Sequence, residues 1–407
     1  MNTGFRSRER SNSDGQATEA TDRVSPHLHK EEKKLAFSKW RRHLAWIGVL
    51  ALVAVACGDD GGTGGTGAPE ECTEPDPVRL QLQWFAQSQF AGYYVALDQG
   101  FYEEQCLDVT ILEGAVEIVP QQVLATGGAE FGLAWVPKAL VSREGGADIV
   151  NIAQVFERSG TLEVSFADSG IESPEDWAGK RVGNWGFGNE FELTAAISQA
   201  GVEDVELVGQ DFTMTALLNG DIDAAEAMIY NEYAQVLEAI NPDTGELYQP
   251  EDLNVIDFNE VGTAMLQDAV WVNAEWIAEE GNEDIATRFL TASFQGWIHC
   301  LDAFDECVQV VLDNGSTLGQ SHQEWQLNEI LGLIFPATNG IGVMNEDLWA
   351  QTVAVATEQI PELQGVEIPS EAYRTDLAEA ANANLGDADV TGSGYERREI
   401  ELVEGGN

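Results

Sequence analysis

The chain has 407 residues, long enough for two or three domains at roughly 100 to 200 residues each. Twenty Lys plus Arg stand against 70 Asp plus Glu, a formal charge of −50, and a field of that sign and size excludes nucleic acid and anionic membrane surfaces as partners. Hydrophobic residues make up 44%, with 11 Trp, 8 Tyr and 16 Phe, so the acidity belongs to the surface of a folded, soluble protein and not to a disordered chain.

The charge is unevenly placed. Residues 1–56 hold ten Lys or Arg and six Asp or Glu, a net of +4, which leaves −54 for the rest. This segment is basic up to Lys39, Arg41, Arg42 and His43, then apolar from Leu44 to Ala56. Thirteen apolar residues fall short of the about 20 that a helix needs to cross a bilayer core, and they suit a signal-peptide h-region. Ala54 and Ala56 precede Cys57, a pattern that resembles a bacterial lipoprotein signal. The resemblance implies removal of 1–56, lipidation of Cys57, and export to the outer face of the cytoplasmic membrane, with membrane contact through the lipid anchor only. Residues 57–77 then form a tether whose Gly58 to Pro69 stretch, GDDGGTGGTGAP, is too Gly-rich to pack.

With Cys57 set aside, Cys72, Cys106, Cys300 and Cys307 are an even set for an oxidising compartment, with three pairings possible. The expected pairs are Cys72 with Cys106 and Cys300 with Cys307. Cys72 precedes the apolar run Val78 to Trp84 and Cys106 precedes Asp108 to Leu112, and neighbouring parallel strands would bring those starts together. No C-x-x-C occurs, so zinc and thioredoxin chemistry are unsupported, and no metal or other cofactor is expected.

From residue 78 short apolar runs alternate with amphipathic stretches. Val78 to Trp84, Asp108 to Leu112, Phe131 to Ala134 and Ile149 to Val155 have strand character. Phe90 to Gln99, Ile118 to Thr126 and a stretch opened by Pro137 have helix character. A second cycle runs from Lys180 to Trp185 through the strand-like Val205 to Val208 and Ala224 to Ile229. The pattern predicts a two-lobed α/β protein with mostly parallel sheets covered on both faces. Lobe 1 takes 78–161 and 273–386, with C-terminal helices; lobe 2 takes 168–262; 162–167 and 263–272 are hinge crossovers; and 387–407 is a frayed tail.

Nucleophilic and metal catalysis need preplaced partners, and the chain after Cys57 has only His299 and His322 as histidines and Lys138 and Lys180 as lysines. No H-E-x-x-H, G-x-S-x-G, G-x-G-x-x-G or P-loop sequence is present. Composition cannot single out an acid/base pair among so many carboxylates, and no catalytic residue is assigned. In parallel α/β lobes ligands sit beyond the carboxyl ends of strands. The loops after Trp84, Leu112, Ala134, Trp185 and Ile229 should therefore face a cleft. Trp84, Phe90, Trp135, Trp185, Phe187 and Tyr230 offer rings to stack on a planar ligand, and Gln87, Gln89, Asn189, Glu190, Asn231 and Glu232 offer groups for its edge. The loop Gly183 to Glu190, GNWGFGNE, could hold an anion on its amides, but Glu190 and Glu192 oppose one, and no Lys or Arg is expected in the cleft.

Gln83 to Ala96, QWFAQSQFAGYYVA, followed by Gly100 to Glu104, GFYEE, resembles the SsuA/THI5-like (NMT1) family of solute-binding proteins. The likeness continues in Gly127 to Gly132, Gly179 to Gly183 and Asn219 to Ala224, and runs over about residues 78 to 360. It implies the two-lobed periplasmic-binding-protein fold (type II-like) and delivery of a small molecule to an ABC transporter permease, with a monomer expected. The ligand it implies is a thiamine pyrimidine precursor of the hydroxymethylpyrimidine or formylaminopyrimidine type, or riboflavin. A sulfonate or nitrate binder is the alternative within the class. A pyrimidine synthase of the same family is disfavoured, because Phe90 stands where that branch carries its active histidine, and a sensor domain lacks an evident transmembrane output module. The lipoprotein reading is checked by metabolic labelling with a fatty acid, which should mark the wild type and not Cys57→Ser; equal labelling of both contradicts it.

Overall fold

Five strands build the sheet of the first lobe: β1 (Asp76–Gln81), β2 (Leu107–Leu112), β3 (Phe131–Trp135), β4 (Ile149–Gln154) and, from much later in the chain, β10 (Asp268–Asn273). The computed structural model describes residues 72–406, so the expected signal segment and the expected lipidation site Cys57 lie outside the described residues. The strand order is β2-β1-β3-β10-β4. β1 pairs in parallel with β2 and β3, while β10 runs antiparallel between β3 and β4. Every residue of β3 and β4 is buried, the pattern of strands covered on both faces. One cover is the long helix Asn282–Asp302, whose Phe289 ring stacks on Phe131 at 3.9 Å. Against it lies the helix Ala91–Asp98. The two approach so closely that a Cβ on Gly92 would fall 2.3 Å from the Trp297 ring and one on Gly296 2.0 Å from the Gly92 carbonyl oxygen, which only glycine permits.

The second lobe holds β5 (Thr161–Phe166), β6 (Arg181–Asn184), β7 (Glu206–Gly209), β8 (Ala225–Met228) and β9 (Leu253–Asp257). β5 runs antiparallel between β8 and β9, β6 pairs in parallel with β7, and a parallel bridge from Val182 to Ala224 joins the two sets. The sheets are thus more mixed than the alternating pattern predicts. β5 and β10 each begin just after the chain changes lobes, and both enter their sheets against the direction of the βαβ strands.

That placement also moves the crossovers. Leu162 to Ala167 falls almost wholly in the central strand of the second-lobe sheet, and the later part of 263–272 is β10. The chain changes lobes over 155–160 and again over 258–267. These segments are bonded to each other. Glu192, on the helix Phe191–Ala200, accepts from the Ser159 hydroxyl at 2.7 Å and from the Met265 amide at 2.6 Å. Gln267 accepts from the Gly160 amide at 2.8 Å and donates to Ser159 and Thr161 hydroxyl oxygens at 3.0 and 2.6 Å.

The residues after Gly386 do not fray. Val390 and Thr391 accept backbone bonds from Ile341 and Ala337, Tyr395 donates to the Asn328 carbonyl at 2.6 Å, and Arg397 pairs with Glu329 at 2.9 Å. Farther on, the Gly405 amide donates to the Glu238 carbonyl. The segment expected to be a frayed tail is therefore a strap across the helix Gln320–Ile334. Among the described residues no helix is long and apolar enough to cross a membrane.

Disulfides join Cys72 to Cys106, 34 residues apart, and Cys300 to Cys307, 7 apart. The first ties the tether's end to the start of β2; the second is fully buried at the junction of two helices. In the chain-entropy model a loop of the first bridge's length contributes roughly 3 to 4 kcal/mol. The paired substitution Cys72→Ser with Cys106→Ser should lower the unfolding free energy in urea by about that amount, and an unchanged midpoint contradicts the assignment.

Candidate functional site

The loops at the carboxyl ends of six strands converge on one cavity of about 510 Å³. β1 delivers Gln83, Trp84, Gln87 and Gln89; β2 the apolar wall of Val116, Ile118, Val119 and Pro120, with Gln121; β3 delivers Trp135 and Lys138. From the second lobe β6 supplies Trp185 to Phe191, β7 supplies Phe212, and β8 supplies Tyr230 to Glu232. The aromatic groups meet across the cleft. Trp84 lies 4.7 Å from Phe212, and Phe212 stacks near Trp185 at 6.3 Å and 21°. Phe187 stands at the rim, 85% exposed, in the left-handed conformation (φ 57°) between Gly186 and Gly188, which share it. The two glycines adopt it freely, whereas Phe187 itself bears the cost of a left-handed backbone, and the turn leaves one phenyl ring projecting over the opening.

Asp268, the first residue of β10, accepts from the Gln83 amide at 2.6 Å and the Trp135 indole at 2.8 Å on one oxygen, and from the Gln89 amide at 2.9 Å on the other. From Gln89 an amide row continues. Gln87 donates to Gln89 at 2.7 Å, Gln326 donates to Gln87 and to Asn231 at 3.3 Å each, and His322 Nε2 meets the same Asn231 oxygen at 2.8 Å. His322 Nδ1 faces Glu238 at 3.0 Å, and the Trp325 indole donates to the Ile229 carbonyl at 2.9 Å. The helix Gln320–Ile334 thereby docks the first lobe onto the second behind the cavity.

Of the residues expected at the site, Trp84, Gln87, Gln89, Trp135, Trp185, Phe187, Asn189, Glu190, Tyr230, Asn231 and Glu232 line the cavity. Phe90 does not. It is fully buried in the first-lobe core, because the helix that follows turns its apolar face to the sheet. The expectation of a cleft without cations is also corrected. Lys138 lies in the first turn of the helix Val136–Glu144, its ammonium 4.7 Å over the Trp135 ring and 2.5 Å from the Asn189 side-chain oxygen across the cleft. The loop that offered amides to an anion is already occupied: Glu226 takes the Trp185 amide and Glu190 the Gly188 amide. Glu232 is likewise engaged, by the Met228 amide and by Asn231. Gln83, Lys138, Phe212 and Asp268 escaped the sequence reading.

Residues 87–306 match the family model described as NMT1/THI5 like. The formylaminopyrimidine-binding protein of Halalkalibacterium halodurans is 26% identical over 298 residues, covering 71% of this chain and 86% of that one. The riboflavin-binding protein RibY of Chloroflexus aurantiacus is 25% identical over 332 residues, covering 75% and 89%. A shorter match joins the chain to the 4-amino-5-hydroxymethyl-2-methylpyrimidine phosphate synthase of Legionella pneumophila, 28% identical over 127 residues, or 31% of this chain and 40% of that one. Among solved structures, the periplasmic aliphatic sulphonate binding protein SsuA of Escherichia coli superposes with a TM-score of 0.52 at 15% identity, covering 81% and 94% of the two chains, and shares the fold.

Burial dominates the electrostatics. It pushes Asp268 up to about 6, against the pull of its three donors, and lowers Lys138 to about 8, against the pull of Glu226, Glu190 and Asp268. Beneath Trp185, Glu226 sits directly across from Glu163 in the β5–β8 ladder, both buried and without a cation in contact. Burial raises Glu226 to about 8 and Glu163 well above the carboxylate range. The folded protein thus keeps a Glu226 proton that the unfolded chain loses near 4.5. That contribution to stability is full below the unfolded value and is lost as pH rises toward 8, at up to about 1.4 kcal/mol per pH unit. Glu226→Gln, whose amide can still accept from Trp185, removes the dependence. The unfolding free energy of the wild type relative to Glu226→Gln should fall between pH 5 and 8; parallel curves contradict the assignment.

Proposed function

The chain belongs to the NMT1/THI5-like family, and from that premise we propose that it is the exported solute-binding lipoprotein of an ABC importer, capturing a planar nitrogen heterocycle. A thiamine pyrimidine precursor is the first choice and riboflavin the second. The observation that carries this reading is the cavity itself, in which rings from both lobes face one space edged by amides and carboxyl groups. Such rings stack on any flat π-system, and the polar edges set its orientation. The names of the two long curated relatives, which refer to a pyrimidine and to a flavin, support the same class. A sulfonate fits less well, since Lys138 is engaged by Asn189 and sits among Glu190, Glu226 and Asp268. For a synthase, Phe90 offers no group to the cavity.

In this reading the lipid on Cys57 holds a monomer at the outer face of the cytoplasmic membrane, and the loaded form is presented to a permease. Trp84, Gln87 and Gln89 come from one lobe, and Trp185, Asn189 and Tyr230 from the other. A ligand touching both favours the closed arrangement by differential affinity, and the crossovers at 155–160 and 258–267 absorb the motion.

Calorimetry with 4-amino-5-hydroxymethyl-2-methylpyrimidine, formylaminopyrimidine, riboflavin and taurine tests the proposal. One of the heterocycles should bind, and Trp84→Ala or Trp185→Ala should weaken it at least about tenfold through lost stacking and burial. Tight taurine binding indifferent to both substitutions overturns it.

A further inference from the structure

Asp268 is 3% exposed and lines no part of the cavity, yet three lining side chains are tied to it. A carboxylate only accepts, so each must turn an N–H toward it. For Trp135 this uses the indole's single donor and leaves its π-face. For Gln89 it turns the carbonyl toward Gln87. The row cannot reverse at its far end either, because the Gln326 carbonyl is held by the backbone amide of Gln89 at 3.2 Å. Gln83 differs from the others. Its amino end is fixed on Asp268, and its Oε1 has no hydrogen-bond partner among the described residues, on a side chain that lines the cavity.

We infer that Asp268 is a positioning residue for specificity: by holding the Gln83 amide with its carbonyl free for the ligand, it makes the cavity select an amino-bearing pyrimidine over the oxo counterpart. An exocyclic amine donates to that carbonyl. An oxo group in the same place sets two acceptors face to face, and a buried polar group left unmatched is costly. The inference rests on the pyrimidine reading above and narrows it. Without the carboxylate the Gln83 amide can turn over and offer either edge, so selection is lost even where stacking and shape remain.

The test compares dissociation constants for 4-amino-5-hydroxymethyl-2-methylpyrimidine and its 4-oxo analogue. In the wild type the amino compound should bind at least about tenfold more tightly. In Asp268→Ala the ratio should fall to near unity, whatever the change in absolute affinity. A merely structural lesion weakens both ligands alike, and an unchanged ratio in Asp268→Ala overturns the inference, as does a wild type without preference. Should Asp268→Ala fail to fold, Gln83→Leu carries the test, since removing the free carbonyl from a half-buried side chain must abolish the preference. Wild-type binding of neither pyrimidine removes the inference together with the pyrimidine reading, whereas amino and oxo compounds binding equally well removes the inference alone.

Discussion

Beyond Cys57 the chain has ten cationic side chains for 64 carboxylates, so a carboxyl taken inside seldom meets an opposite charge. It must be satisfied by N–H and O–H donors or keep its proton, since burying a bare charge costs far more than any contact returns. The molecule uses both solutions where its geometry is decided. Asp268 gathers three donors where the chain re-enters the first lobe. Glu192 gathers the Ser159 hydroxyl and the Met265 amide, one from each crossover. Glu226 and Glu163 face one another in the second-lobe ladder, where burial favours their protonated forms.

The cations are spent with equal economy. Arg79 pairs with Glu130, Arg181 with Asp223, Arg288 with Asp76 and Asp284, and Arg374 with Glu283 and Asp376. These half-exposed pairs each add little, but they stand at strand starts and helix ends, where they fix local geometry. Arg397 and Arg398 hold the C-terminal strap, through Glu329 and the Phe304 ring. The strap and the helix Gln320–Ile334 beneath it give the two lobes a polar contact, through His322, Glu238 and Asn231, that reaches the edge of the cavity at Asn231. Polar contacts of this kind between lobes exchange with water more readily than an apolar seam.

The cleft aromatics other than Phe212 were legible because they follow short apolar runs at places where parallel strands end, and strand ends in such folds point one way. Phe90 was not, because one turn of helix decides whether a ring after such a run faces ligand or sheet. Lys138 follows Pro137, a helix-start signal that reads as the solvent side of an element; in three dimensions the first turn after β3 leans over the cavity. Asp268 carried a visible mark, an acid opening the apolar run that becomes β10, as did Glu163 and Glu226 inside β5 and β8. A charge embedded in a strand pattern reports a buried carboxyl, but the partners are distant in sequence, more than a hundred positions for Asp268 and tens for Glu226, and no local pattern names them. The strand β9 was overlooked because its five residues alternate weakly after the acidic turn at Pro250 to Asp252.

The scarcity of lysine has a practical side. After Cys57 the ε-amines number two: Lys180, which donates to the Ser169 carbonyl at 3.2 Å in the second lobe, and Lys138, enclosed in the cavity. With residues 1–56 removed, as proposed above, acylating reagents meet one ε-amine on the flank and one at the candidate binding site, and burial, which lowers the second to about 8, favours its reactive neutral form in mildly alkaline buffer. Any occupant of the cavity shields that amine and leaves the other open. The ratio of the two modified peptides becomes an internal, self-normalising footprint of occupancy, with Lys180 as the natural point for attachment to a surface or a dye.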